Sequence, residues 1–369
     1  MTTSPPLPVE IITDPAHLVA AVRRMQGAKA IAVDTESNSM HYYPEQLCLI
    51  QLADVEKVSI IDTIILKDIA PLGQILADGN TLKVIHGADY DIRSLQRHSG
   101  LSVRNVYDTY LAARFAGLTE VGLAALIKNL LGIAIEKSKK LQTADWGRRP
   151  LSPEAWDYAA ADVFHLLELQ QILDKKLGEL GRTAWAAEEF LRLEDIHYQA
   201  PDPAMACFSV KGSEILDDRG YAVLRSLCSF REEEARRQHR PPFFIIPDVA
   251  LVDLAANPTA SLGSLRFEQG LRKAITAGLA APPLPPPPRV YVERMTAAQL
   301  ALFARLKLWR TAAAAKLALD PALFWPMVSL QRLARDPGSF DSELSEPNIR
   351  RWQRTEFAAD LQKVLPAKA

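Results

Sequence analysis

The chain has 369 residues, more than one typical domain holds, so two or three domains are expected. Its 43 Lys+Arg offset 44 Asp+Glu, a net charge of −1, which argues against strong non-specific duplex binding and leaves any grip on nucleic acid to local basic patches. Cys48, Cys207 and Cys228 are too scattered for a zinc site or a disulfide framework. The N-terminus lacks a basic region followed by an apolar run, and no apolar stretch reaches the roughly 20 residues needed to span a bilayer. The expectation is a cytoplasmic monomer with no membrane contact.

The first half alternates strand-like and helical patterns. IAVDTE (31–36), CLIQLA (48–53) and VSIID (58–62) read as an antiparallel meander, and LKVIH (82–86) as a further buried strand. Helical patterns cover 15–26, 71–78, 89–98, 108–116, 120–131 and 153–179. This predicts a mixed α/β sheet with helices on its faces. Beyond residue 181 the strand signal fades, 215–280 and 295–366 read as helical, and PPLPPPP (282–288) reads as an extended, semi-rigid spacer. Residues 224–258 and 303–337 look like weak copies of each other: an apolar-aromatic stretch, an alanine- and charge-rich helix, a proline turn and a Leu-Ala helix.

Asp34 and Glu36 stand two apart on a strand and so share a face. Burying two unpaired carboxylates beside Ile31 and Val33 is expensive unless a cation joins them; a solvated strand end is the simpler alternative. Tyr158 and Asp162 are four apart in a helical segment and share a face there. Asp91 opens a helix after His86-Gly87, where acids are also favoured by the helix dipole. Each has a bland explanation; their joint occurrence in one α/β region points to a metal-dependent phosphodiesterase site.

The strings VDTESNSMHYYPEQLCLIQLAD, KVIHGADYDIRSLQR, RNVYDTYLAARFAG and KKLQTADWGRRPLSPEAWDYAAADV resemble the motifs of DEDD-superfamily 3′→5′ exonucleases of the tyrosine subclass. The closer resemblance is to ribonuclease D and the exosome-associated nucleases related to it, over about residues 8–180. It implies a ribonuclease H-like exonuclease domain (1–190), an HRDC-like helical domain (212–280), a proline-rich linker (281–294) and a divergent second HRDC-like domain (295–369). It also implies two divalent ions, Mg²⁺ or Mn²⁺, since hard oxygen ligands suit them and no His/Cys cluster suits zinc. Asp34 would bridge both ions, Glu36 and Asp162 would complete the shell of the first ion, and Asp91, rather than Asp89, would hold the second, partly through water. Tyr158 would orient the attacking water, its ordinary pKa near 10 making it a poor base.

The implied substrate is RNA with a single-stranded 3′ end, with transfer-RNA precursors as the family expectation. The implied product is a nucleoside 5′-monophosphate. Met40, just past the first strand, would wedge against the terminal base, and His86 would touch phosphate or ribose. Trp146, Arg148 and Arg149, with Lys137, Lys139 and Lys140 nearby, would grip single-stranded backbone and bases. A solvated basic loop with a core tryptophan is the alternative. Ser37 departs from the aromatic residue many relatives carry there. A proofreading-type DNA exonuclease and a non-catalytic nucleic-acid-binding protein are the rival readings.

Overall fold

The computed structural model describes residues 7–135, 138–200, 202–203, 205–262, 266–287 and 293–366. Six strands form one mixed sheet: β1 (Val9–Ile12), β2 (Ala30–Ser37), β3 (Leu47–Ala53), β4 (Val58–Asp62), β5 (Leu82–Ile85) and β6 (Val106–Asp108), in the order β1-β4-β3-β2-β5-β6. The expected meander is present, with β2 antiparallel to β3 and β3 antiparallel to β4. Strands β1, β5 and β6 add in parallel. The sequence reading missed β1 and β6. Each is an edge strand of four or three residues, too short to show a period of two, and takes its conformation from the neighbour it pairs with.

Helices α1 (Pro15–Met25), α2 (Gly73–Leu76) and α3 (Asp89–Ser99) belong to one face of the sheet. Helices α4 (Thr109–Phe115), α5 (Leu123–Leu126), α6 (Lys139–Gln142), α7 (Pro153–Phe164), α8 (Leu166–Glu179) and α9 (Thr183–Leu193) belong to the other. Strand alternation sorts β2 between the two cores: Ile31 and Val33 join the first, and Ala32 joins the second. The single helix expected over 153–179 is two, parted at His165, whose φ of −108° leaves the helical range without a proline or glycine to signal it. The helix expected over 120–131 is α5 running into a π-helical turn at Ile127–Leu131, which Gly132 ends with a left-handed φ of 74°.

The rest of the described chain is helical: α10 (Asp218–Gln238), α11 (Pro242–Ile245), α12 (Asp248–Ala256), α13 (Glu268–Ala280), α14 (Ala297–Lys316), α15 (Pro321–Phe324), α16 (Met327–Arg335), α17 (Phe340–Glu343) and α18 (Arg351–Gln362). The series α10–α12 has lengths of 21, 4 and 9 residues, and α14–α16 has 20, 4 and 9. In both series proline opens the short helix and precedes the third. Each series has its own apolar core, one around Leu224, Leu227 and Leu251, the other around Phe324, Trp325 and Leu330. The proline-rich stretch begins packed rather than free, with Leu284 N–H donating to Asp218 O at 2.8 Å; residues 288–292 lie outside the described residues.

Both helical modules touch the α/β domain. Tyr43, in the loop after β2, donates to Glu232 of α10 at 2.7 Å, and Tyr42 stacks on His239 at 5.1 Å. On the other side, Arg182 donates to Phe115 O (2.8 Å) and Leu317 O (2.6 Å), and Trp185 stacks on Trp352 at 4.8 Å. The Glu188 carboxylate accepts from Arg351 N (2.7 Å) and Trp352 N (3.1 Å), satisfying first-turn amides of α18 from another domain. Replacing this cap (Glu188→Ala) should weaken α18 by about 1 kcal/mol. Hydrogen exchange should show faster amide exchange in α18, with α10 unchanged.

Candidate active site

The carboxyl end of β2 opens on a cavity of about 620 Å³ lined by Asp34, Glu36, Asp91, Tyr158 and Asp162, among others. Asp34 and Glu36 follow Ala32 on the face packed by α7, and α7 brings Asp162 and Tyr158, one helical turn apart, to the same place. Single carboxylate oxygens of Asp34, Glu36 and Asp162 lie within 4.8 Å of one another. Gln51 pairs with Asp34 in register and is wholly buried, and among the described residues neither its Oε1 nor its Nε2 has a hydrogen-bond partner.

Asp91 arrives from the opposite face of the sheet. It lies on α3, is only 5% exposed, and accepts from Thr35 Oγ1 at 2.5 Å. Thr35 belongs to the alternate row of β2, so Asp91 reaches the cavity around the strand end and stands outside the close triad. The turn that aims it uses Gly87, whose φ of 78° is left-handed, as the sequence leads one to expect. The buried Asp108 carboxylate accepts from Gly87 N and Ala88 N, both at 3.0 Å, and also caps α4. Asp89 is not among the residues lining the cavity and accepts from Arg93 Nε at 2.7 Å.

Desolvation, then the charges of Asp91, Asp162 and Glu36, raises the Asp34 carboxyl well above its usual range. The same crowding pushes Glu36 up to about 9: burial first, then Asp162 and Asp91. Burial also raises Asp91, against the opposing pull of the Thr35 hydrogen bond. Tyr158 is likewise raised, by desolvation and then by Asp162, Glu36 and Asp34. Among the described residues, no lysine or arginine lines the cavity. This donor set, all carboxylate oxygen, fits hard divalent ions.

The candidate substrate contacts fare unevenly. His86 lines the cavity, with Nδ1 3.0 Å from Thr109 Oγ1. Met40 is 53% exposed in the turn after β2 and is not among the lining residues. Trp146 is not a surface stacking platform: it is 1% exposed, packed in the core 6.0 Å from the Tyr158 ring. Arg149 is not a free phosphate contact either. It donates from Nε (2.6 Å) and Nη2 (2.7 Å) to the buried Asp62, and to the carbonyls of Trp146, Arg148 and Cys48, pinning the loop. Arg148, Lys139 and Lys140 are exposed, whereas Lys137 lies outside the described residues. Spacing alone could not separate a core tryptophan and a paired arginine from exposed ones. Sequence reasoning also passed over Tyr90, Thr35, Gln51 and Gln142, which no motif logic singles out.

Residues 9–178 match the family model described as 3′-5′ exonuclease, and residues 221–273 match the HRDC domain. The fold and site thus define the class: a 3′→5′ exonuclease domain joined to an HRDC-type helical module. A ribonuclease D of Granulibacter bethesdensis is 31% identical, covering 95% of this chain and 91% of that protein. One from Gluconacetobacter diazotrophicus is 31% identical over 94% and 90%. The chain belongs to the ribonuclease D family of 3′→5′ exoribonucleases. Its fold matches the crystal structure of Escherichia coli RNase D with a TM-score of 0.73, at 23% identity over 97% of this chain and 98% of that one. The catalytic core of RRP6 from Trypanosoma brucei matches with a TM-score of 0.65, at 24% identity over 74% and 79%.

Removing the buried partner of Arg149 (Asp62→Ala) should lower unfolding free energy by about 3 kcal/mol in urea titration, because it strands a partly buried charge. Arg148→Ala, at an exposed position, should stay within about 0.5 kcal/mol of the parent.

Proposed function

We propose that the acidic cavity is the catalytic centre, where water cleaves the last phosphodiester of an RNA 3′ end and releases nucleoside 5′-monophosphates one at a time. The observation that carries this reading is the convergence of Asp34, Glu36 and Asp162 within 4.8 Å in a cavity lined by no lysine or arginine among the described residues. Asp34, Glu36 and Asp162 would hold one Mg²⁺ or Mn²⁺, and Asp34 with Asp91 a second. Such ions supply electrostatic stabilisation of the attacking and leaving oxygens. Tyr158, kept protonated by burial and then by its acidic neighbours, is suited to orient the attacking water by hydrogen bonding and not to take its proton. Gln142 lines the cavity beside Tyr158, and Trp146 backs the Tyr158 ring.

The substrate proposed is RNA with a single-stranded 3′ end, transfer-RNA precursors being the class the family suggests. The Escherichia coli neighbour is described as an exoribonuclease involved in structured RNA processing, which supports the extension. Exposed Met40 and Arg148 are assigned to the strand leaving the cavity, and His86 to its terminal nucleotide. We assign residues 1–190 to the exonuclease domain, 212–280 to an HRDC-like domain and 281–294 to the linker. Residues 295–369 are a divergent second copy, a reading supported by the matching helix lengths of α10–α12 and α14–α16. The protein acts as a cytoplasmic monomer on this reading; among the described residues no helix is long and apolar enough to cross a membrane.

Mg²⁺-dependent digestion of a 3′-extended RNA, beside a DNA of matched sequence, tests the activity. Asp34→Ala should abolish it, and undiminished cleavage by that variant would sink the assignment. Tyr158→Phe should lower kcat about 100-fold while metal-induced thermal stabilisation persists. The pH dependence has a definite sign. A carboxyl such as Glu36, raised from 4.5 to about 9, binds more protons folded than unfolded between those values. Stability of the chelated protein should therefore fall as pH rises through that window. Added Mg²⁺ should raise Tm more at about pH 8 than at about pH 5.5, because its ligands must be deprotonated. Equal shifts at both pH values would exclude this ligand set.

A further inference from the structure

We infer that Tyr90 is the stacking platform for the base of the 3′-terminal nucleotide, set as a rigid wall of the catalytic cavity. The inference rests on the exonuclease reading of that site. Tyr90 immediately precedes Asp91 on α3, lines the same cavity and is 47% exposed. Successive helical residues point about 100° apart. Asp91 can therefore turn inward to Thr35 while Tyr90 faces the open space.

The ring is held in place by its hydroxyl. Tyr90 Oη donates to Glu45 Oε1 and lies 2.5 Å from Ser37 Oγ, which can then donate to it. Glu45 is itself fixed by Arg97 at 2.9 Å, and Arg97 sits over the Tyr198 ring at 5.0 Å. Ser37 directly follows Glu36 on β2, so the phenol is tied to the strand that carries two of the carboxylates. A side chain immobilised before its ligand arrives loses little rotamer entropy on binding.

The cavity chemistry selects a base over a phosphate as its partner. Among the described residues the lining offers no lysine or arginine, and it adds Glu154 and Asp157 to the other acids. Leu123, Ala124 and Ile135 supply apolar surface in the same cavity. A neutral π-face suits any of the four bases, so stacking here should be indifferent to base identity.

Steady-state kinetics on RNA oligomers, with an ordinary or an abasic 3′-terminal nucleotide, tests the assignment. With the ordinary end, Tyr90→Ala should raise KM about tenfold and leave kcat within about threefold. Tyr90→Leu, which keeps most of the bulk, should do the same, and Tyr90→Phe should stay within about threefold of the parent in KM. With the abasic end, all four proteins should have equal KM. An undiminished KM difference on the abasic substrate, or no difference on the ordinary one, overturns the proposal. Mg²⁺-induced stabilisation measured on each variant checks that Asp91 and its neighbours are intact. Failure of the parent enzyme to digest either RNA would instead count against the catalytic assignment itself.

Discussion

Four carboxyl groups meet at the end of one strand, and among the described residues no lysine or arginine lines their cavity. Burial, and then the like charges of their neighbours, raise the Asp34 and Glu36 carboxyls, so these groups cannot all ionise without help. Everything around the cavity holds the groups together despite their repulsion: the sheet fixes Asp34 and Glu36, α7 fixes Asp162, and the Gly87 turn fixes Asp91. Divalent ions held by the assembled set would offset this cost.

The sheet serves this convergence by a division of faces. Alternation along β2 sends Asp34 and Glu36 toward α7, and sends Thr35 toward α3, where it meets Asp91. The two helices therefore approach the strand end from opposite sides, and the acids close around it. The buried Asp108 stabilises the turn before α3 while capping α4, so a local helix cap also sets the position of a distant site residue.

The helical modules are part of the same mechanical arrangement. One is tied through Tyr42 and Tyr43 to the loop that leaves β2, and the other through Trp352 and Glu188 to α9. The first tie lies a few residues beyond Glu36, and so links the HRDC module to the strand that carries the carboxylates. The second consumes an aromatic surface and a helix end in docking.

Much of the site was legible in the sequence because its members sit at spacings dictated by regular structure. Asp34 and Glu36 at a strand spacing, Tyr158 and Asp162 at a helical one, and Asp91 after a Gly turn could be grouped before any coordinates. The roles of Trp146 and Arg149 could not, because burial and ion pairing depend on Asp62 and a core contributed by distant segments. Strands β1 and β6 were missed for the same reason: their conformation comes from the strand beside them. Nor could the placement of Tyr90 be read, since its hydroxyl is held by Ser37 and Glu45, which are 53 and 45 residues away along the chain. The sequence by itself, through periodicity, backbone preference and a family resemblance, nominated the acids and Tyr158 as a group. Only the tertiary structure decided which neighbouring aromatic and basic residues face the cavity and which hold the core, because that choice depends on contacts between segments far apart in the chain.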